Sequence, residues 1–148
     1  MKTGEICNRN VVVAHRDATL ADAAKLMREN HVGSIVVLDG APGRRPVGIL
    51  TDRDIVVEVI AADMDPRAVS VGDIMGDRLV TALEDDDAHA TLTAMRRRGI
   101  RRIPVVTRDS ALVGIVTLDD LIGLVGSELM DVVQAIGSEQ QLEGWRRP

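Results

Sequence analysis

One eight-residue phrase occurs twice in this chain, and that repetition limits the architectures open to it. Gly48–Ile55 reads GILTDRDI and Gly114–Leu121 reads GIVTLDDL. Glycine, two aliphatic residues, threonine, two variable residues, aspartate and an aliphatic residue recur in order, 66 residues apart from Gly48 to Gly114. A fixed-period repeat means one unit of structure used twice. Units this small bury too little surface to stand alone, so the copies are expected to pack on each other. In each copy an aliphatic strand ends just before Thr51 or Thr117, where a helix would begin. The helix apolar set follows as Ile55, Val56, Val59 and Ile60, or as Leu121, Ile122, Leu124 and Val125.

A strand that ends at a helix start leaves backbone N–H donors pointing outward, with the positive end of the helix dipole behind them. That arrangement suits an anion such as phosphate, and a threonine hydroxyl can join the donors. Asp54 or Asp120, one turn on, can accept from the vicinal hydroxyls of a ribose. Thr-x-x-Asp before an apolar run is also a capping box, in which threonine holds the N3 amide and the acid reaches back. The two roles are compatible when no ligand is bound.

Composition narrows the function. The 148-residue chain has a net charge of −5, no Phe or Tyr and a single Trp at 145. An acidic chain without aromatic platforms is a poor partner for nucleic acid. Its core must be built from Val, Ile, Leu, Met and Ala. The lone Cys7 excludes an internal disulfide framework. No signal-like segment and no apolar run approaching 18 residues is present, so the expectation is a soluble, cytoplasmic protein with no membrane partner. No nucleophile–base pair, paired catalytic acids or glycine-rich phosphate loop occurs, and an enzyme is not expected.

The repeat extends beyond the octapeptides, at an offset of 68 residues from Thr3 to Val71. Thr3–Cys7 (TGEIC) matches Val71–Met75 (VGDIM), and Val11–Val13 matches Leu79–Thr81 as short strands. Leu20, Ala23, Ala24 and Met27 form one helix face, and Ala88, Thr91, Leu92 and Met95 form its counterpart. Thr19 and Asp87 are N-cap candidates; Asn30-His31 and Gly99 close the helices. Ser34–Leu38 and Ile103–Thr107 are aliphatic strands of the kind buried on both faces. The hairpin loop Asp39–Pro46 is longer than its counterpart, which changes the offset from 68 to 66. Each copy thus reads strand, helix, strand, strand, helix, an α/β (α+β) fold. A pseudo-twofold would pack the sheets together and turn both Thr-x-x-Asp turns onto a shared cleft. The chain divides into copy 1 at 1–62, a linker at 63–70 (with Pro66), copy 2 at 71–126, and a C-terminal segment at 127–148, expected as a helix over Ser127–Ile136 and a loose polar tail from Gly137 to Pro148.

This pattern resembles the cystathionine-β-synthase (CBS) domain in tandem, the Bateman module, as found in stand-alone bacterial CBS-pair proteins. VGDIM, RRIPVV at Arg101–Val106 and the two G-h-h-T-x-x-D turns carry the resemblance, which covers about Thr3 to Val125. It implies a regulatory module that binds an adenosyl nucleotide (AMP, ADP, ATP or S-adenosylmethionine class) between the repeats and reports it to a protein partner. No cofactor is required; an adenine nucleotide is a regulatory ligand. By the same resemblance Asp54 and Asp120 hold ribose, while Thr51, Thr117, Arg101 and Arg102 meet phosphate. Thr81 and Pro104 are further binding positions, and Arg53 is a phosphate-side candidate. Copy 1 departs from the pattern: Gly33 and Ser34 replace the arginines, Val36 replaces Pro104 and Val13 replaces Thr81. The sites are therefore unequal, and the sequence leaves open which of them Arg101 or Arg102 serves. Apolar helix faces at Ile55–Ile60 and Leu121–Val125 imply a homodimer. The alternative is a structural or interaction dimer whose cleft is vestigial and empty.

Other clusters have plainer explanations. Glu84–Asp87 is a solvated helix start without the spacing of a calcium loop. Arg96–Arg98 suit a helix C-terminus. His15, His31 and His89 are too dispersed for zinc, and Cys7, matched to Met75, is a packed apolar position.

Overall fold

The computed structural model describes residues 1–40 and 44–146. The expected hairpin loop Asp39–Pro46 lies partly outside the described residues, as do positions 147 and 148 of the tail. The first half contains α1 (Thr3–Ile6), β1 (Val13–His15), α2 (Leu20–Asn30), β2 (Ser34–Leu38) and β3 (Pro46–Thr51). It ends in α3 (Asp52–Asp54), which continues as a π-helix over Ile55–Ile60. The second half repeats the order as α4 (Val71–Ile74), β4 (Ala82–Leu83), α5 (Ala88–Arg98), β5 (Arg102–Val106), β6 (Leu112–Thr117) and α6 (Leu118–Arg146). Two three-stranded sheets result, β1-β2-β3 and β4-β5-β6. In each, the first strand runs parallel to the middle one and the last runs antiparallel to it. Ser34 faces Thr51 and Arg102 faces Thr117. Both hairpins carry an irregularity at the matched point, after Val37 and after Val105.

Local chemistry sets the helix limits. The Thr19 hydroxyl accepts the Asp22 amide at 3.1 Å, and the Asp87 carboxylate accepts the His89 and Ala90 amides. α2 and α5 end at left-handed residues, His31 (φ 54°) and Gly99 (φ 65°). Their inner faces, Leu20, Ala23 and Met27, and Ala88, Thr91 and Met95, are buried. The middle strands are buried almost throughout. Two aliphatic clusters result, one per half.

The short opening helices are exchanged between the halves. The Thr3 and Gly4 amides donate to the carbonyls of Asp86 and Glu84, and the Ala88 amide donates to Met1. Asn8 and Ile115 exchange both backbone bonds, at 2.8 and 2.9 Å. Ile6 and Cys7 pack on the second core. Reciprocally, the Leu20 amide donates to Val69, Val71 to Ala18 and Gly72 to Arg16. Val69 and Val71 are buried in the first core. Segment 1–8 therefore completes the second half, and 69–75 completes the first.

A buried hydroxyl pair fastens the first exchange. Thr3 Oγ1 and Thr91 Oγ1 lie 2.7 Å apart, with both residues buried. Thr91→Val is expected to strand the Thr3 hydroxyl and cost about 1–3 kcal/mol, whereas Thr3→Val/Thr91→Val should recover most of that loss. A double-mutant cycle from urea denaturation reads the coupling; additive single losses would disprove it.

Three sequence expectations are corrected. The first strand of each half starts later than Val11 and Leu79, at Val13 and Ala82. The preceding residues line the grooves between the halves instead. The helix after Thr51 is π-wound: the Ala61 amide bonds Val56, five residues back. Ile55 and Val59 are buried, while Val56, Val57 and Ile60 face outward. The stretch from Gly137 is not a loose tail, because α6 runs unbroken for 29 residues to Arg146. No proline interrupts it, and Gln, Glu, Leu and Ala favour the helix.

α6 is also long and apolar enough, by length and composition alone, to cross a membrane, with a mean hydropathy of 1.3 over its best window. The sequence has no unbroken apolar run of that length because Glu128 and Asp131 fall inside it. Leu121 and Leu124 bind its first turns to the second core. Ile122, Val125, Leu129, Val132, Val133 and Ile136 then recur at three- and four-residue spacing and are exposed. This is one apolar stripe on an amphipathic helix.

Candidate ligand cleft between the repeats

Each Thr-x-x-Asp turn is held by its own strand pair. The Asp52 amide donates to Gly33 O and the Leu118 amide donates to Arg101 O, both at 3.0 Å. Both turns form capping boxes. The Thr51 amide donates to Asp54 Oδ2 at 2.8 Å, and the Asp54 amide to Thr51 Oγ1 at 3.2 Å. The Thr117 amide and hydroxyl donate to Asp120 Oδ2 at 2.7 and 2.8 Å, and the Asp120 amide to Thr117 Oγ1 at 3.3 Å. One carboxylate oxygen of each aspartate is thus committed. Among the described residues no protein hydrogen bond reaches Oδ1 of either. All four residues are half-buried. An ionised carboxylate has about four lone-pair sites, so ample acceptor capacity remains for a diol.

Thr51 and Asp54 line a cavity of about 360 Å³. Their own half also supplies Ile49; the other half supplies Leu79 and Val80 and the cations Arg78, Arg101 and Arg102. The lining therefore combines aliphatic surface, a hydroxyl–carboxylate pair and guanidinium groups. A second cavity, about 250 Å³, lies at Thr117 and Ile115. Its other wall comes from the first half, through Asn10, Val11, Val12, Gly33 and Ser34. The two walls match position by position at the repeat offsets: Leu79-Val80 answers Val11-Val12, and Arg101-Arg102 answers Gly33-Ser34.

The structure thus gathers Thr51, Asp54, Arg101 and Arg102 at one cleft and Thr117 at the other. Asp120 sits behind Thr117 through its three bonds. Arg102 lines both cavities. Three sequence candidates stand elsewhere. Arg53 is exposed on the turn. Thr81 lines a separate groove with Arg45 and Asp77. Pro104 is buried inside β5, opposite Ile115. Arg78 and Asn10 escaped the sequence reading; the 68-residue offset, carried two places ahead of Val80 and Val12, would have flagged them as a pair.

The glycine of each motif accommodates the exchanged segment. A Cβ on Gly48 would lie 2.5 Å from Met75 Sδ, and one on Gly114 would lie 2.6 Å from Cys7 Sγ. Cys7 is thus packed, as its match with Met75 implies, and burial pushes its thiol pKa up. A thiol in that state is a weak nucleophile at neutral pH. Among the described residues no three His, Cys, Asp or Glu side chains are grouped to hold a metal ion.

Comparison with known proteins places the chain in a family. The model of the CBS domain matches residues 4–61 and again 71–127. The chain belongs to the CBS-domain family and carries the domain as a tandem pair. CBS pairs are generally regulatory modules without chemistry of their own. An uncharacterised protein of Methanopyrus kandleri is 34% identical over 82% of this chain, which spans 61% of that relative's length. Hypoxic response protein 1 of Mycobacterium tuberculosis is 33% identical, covering 79% of this chain and 80% of the relative. Among solved structures, a CBS-domain protein of Pyrobaculum aerophilum complexed with AMP superimposes with a TM-score of 0.73 at 30% identity, covering 82% and 90% of the two chains. A CBS pair in complex with 5′-methylthioadenosine and S-adenosyl-L-methionine gives 0.75 at 26% identity, covering 86% and 98%.

Proposed function

We propose that this chain is a non-catalytic, ligand-sensing module that holds an adenosyl nucleotide between its repeats and passes the occupancy to a protein partner in the cytoplasm. The observation that carries the reading is the cleft at Thr51 and Asp54, where both halves contribute to one cavity of about 360 Å³. That volume falls in the range of small-molecule sites. Asp54 is suited to ribose hydroxyls, Thr51 and the arginines to phosphate, and Ile49, Leu79 and Val80 to the base. The AMP complex of the Pyrobaculum relative supports the same ligand class. Because both halves build the wall, a ligand that fits one arrangement of them better than another shifts the equilibrium between the two. The exposed stripe of α6 and the outward residues Val56, Val57 and Ile60 of the π-helix are the apolar surfaces proposed to pair in a homodimer.

A thermal-shift series with AMP, ADP, ATP and S-adenosylmethionine tests the reading. A ligand at 100 times its dissociation constant should add about 2.7 kcal/mol of stability. Asp54→Ala is expected to cost about 1 kcal/mol through its cap and, separately, to abolish the nucleotide shift. The capping boxes favour a second reading, a scaffold with an empty cleft, because they give both aspartates a structural role. Under that reading Asp54→Ala costs the cap energy, and no ligand in the panel shifts the melting temperature.

A further inference from the structure

We infer that the two clefts sort adenosyl ligands by charge. The Thr51 cleft takes phosphorylated, anionic ones; the Thr117 cleft takes neutral or cationic ones, nucleoside thioethers or sulfonium compounds. The inference rests on the adenosyl-binding reading above and adds which ligand chemistry each cleft accepts.

The basis is a residue-by-residue exchange between walls built from matched positions of the repeat. Arg78, Arg101 and Arg102 line the Thr51 cleft. At the offset of 68 their counterparts in the Thr117 cleft are Asn10, Gly33 and Ser34, all uncharged. A Cβ on Gly33 would lie 3.1 Å from Asp52 Oδ2, but that aspartate is exposed beside this wall and does not line the cavity. Thus the first cleft offers guanidinium groups where the second offers uncharged residues. Arg102 touches both cavities. In the first it adds to Arg78 and Arg101. In the second it is the one charged residue among the described lining residues.

The chemistry follows from the cost of desolvating charge. A phosphate entering the first cleft exchanges water for charge-assisted hydrogen bonds from guanidinium groups. In the second it would lose water with one shared arginine in compensation, which is less favourable. A neutral thioether needs no such compensation, and a sulfonium in the second cleft avoids the three guanidinium charges of the first. The diol acceptors are the same in both, Asp54 and Asp120, so each cleft keeps its grip on ribose and differs at the 5′ end.

Calorimetric titration of the whole chain separates the possibilities, with AMP and ADP as anionic probes and 5′-methylthioadenosine and S-adenosylmethionine as the others. AMP affinity is expected to fall in Asp54→Ala and to be unchanged in Asp120→Ala; methylthioadenosine should show the reverse. Where an alanine variant unfolds, Asp54→Asn or Asp120→Asn keeps an oxygen for the cap and replaces it. Arg101→Gly should weaken AMP about ten- to a hundredfold and leave methylthioadenosine unchanged. Competition of AMP and methylthioadenosine for the same cleft, or AMP binding that depends on Asp120, would overturn the sorting and leave the adenosyl-binding reading standing. Absence of heat from all four probes would overturn both.

Discussion

Gly114→Val is expected to be the most damaging single substitution in the motif, costing about 3 kcal/mol or more, above the usual range for overpacking. A Cβ at this position would stand 2.8 Å from the Asn8 carbonyl oxygen and 2.6 Å from Cys7 Sγ. The Asn8 oxygen cannot step aside, because it accepts the Ile115 amide while the Asn8 amide bonds Ile115 in return. Relief requires segment 1–8 to leave the second half, with its backbone bonds and the Thr3–Thr91 pair. The equivalent change at Gly48 presses chiefly on Met75, a flexible side chain, with the nearest backbone oxygen, Gly76 O, at 3.3 Å. Gly48→Ala should therefore cost about 1 kcal/mol, and Gly114→Ala more. Urea denaturation orders the variants. Cys7 gives an independent readout as the sole cysteine. Burial holds its thiol pKa up, and release of the segment returns it toward the ordinary value, so thiol labelling at neutral pH should quicken in Gly114→Val. Equal losses at Gly48 and Gly114, or unchanged labelling, would refute the close-packing account.

The second large effect concerns the proposed dimer. Leu129 is 63% exposed in the middle of the α6 stripe, and Ile122 is 68% exposed. Leu129→Asp should leave the fold of a single chain intact, since surface substitutions of this kind cost little. In a twofold dimer the change appears twice in one interface. At about 2 kcal/mol for each buried hot-spot residue, the dimer would weaken by about 4 kcal/mol, near a thousandfold in its dissociation constant. Sedimentation equilibrium should show a dimer becoming a monomer with unchanged circular dichroism. A control at Trp145, 89% exposed on the same helix, distinguishes the stripe from the rest of α6. The stripe ends at Ile136, and Trp145→Ala is expected to leave the dimer intact. Parent protein that is already monomeric, or that sediments only with detergent or lipid, would remove the dimer.

Much of this architecture was legible because it is written locally. Alternation and helical spacing marked the buried faces of α2 and α5, and Thr19, Asp87, His31 and Gly99 bounded them. The doubled motif placed Thr51, Asp54, Thr117 and Asp120 at matched turns. Which half a segment joins is not written locally. Thr3–Cys7 and Val71–Met75 are near-equivalent phrases, and either half could receive either one by pattern alone. The packing of the two halves also brings Arg78, Leu79, Val80, Arg101 and Arg102 to the Thr51 turn of the opposite half. No reading of one repeat in isolation could join a cation of the second half to a carboxylate of the first. Thr81 shows the reverse: it is polar at a motif position, yet the later start of β4 leaves it in a neighbouring groove. The helicity beyond Gly137 was obscured by composition, because residues that solvate a loose end also make good exposed helix.

The exchanged opening helices have a mechanical consequence. Two halves that merely touched could separate along their common surface. Here each half holds a piece of the other, as two clasped hands do, so parting them means first unfolding a clasp. The clasps lie at Asn8–Ile115 on one side and Arg16–Gly72 on the other, and both clefts lie between the parts they join. A rotation of the halves about these two points would alter both clefts together, and the molecule proposed to sit in either would act across the whole pair.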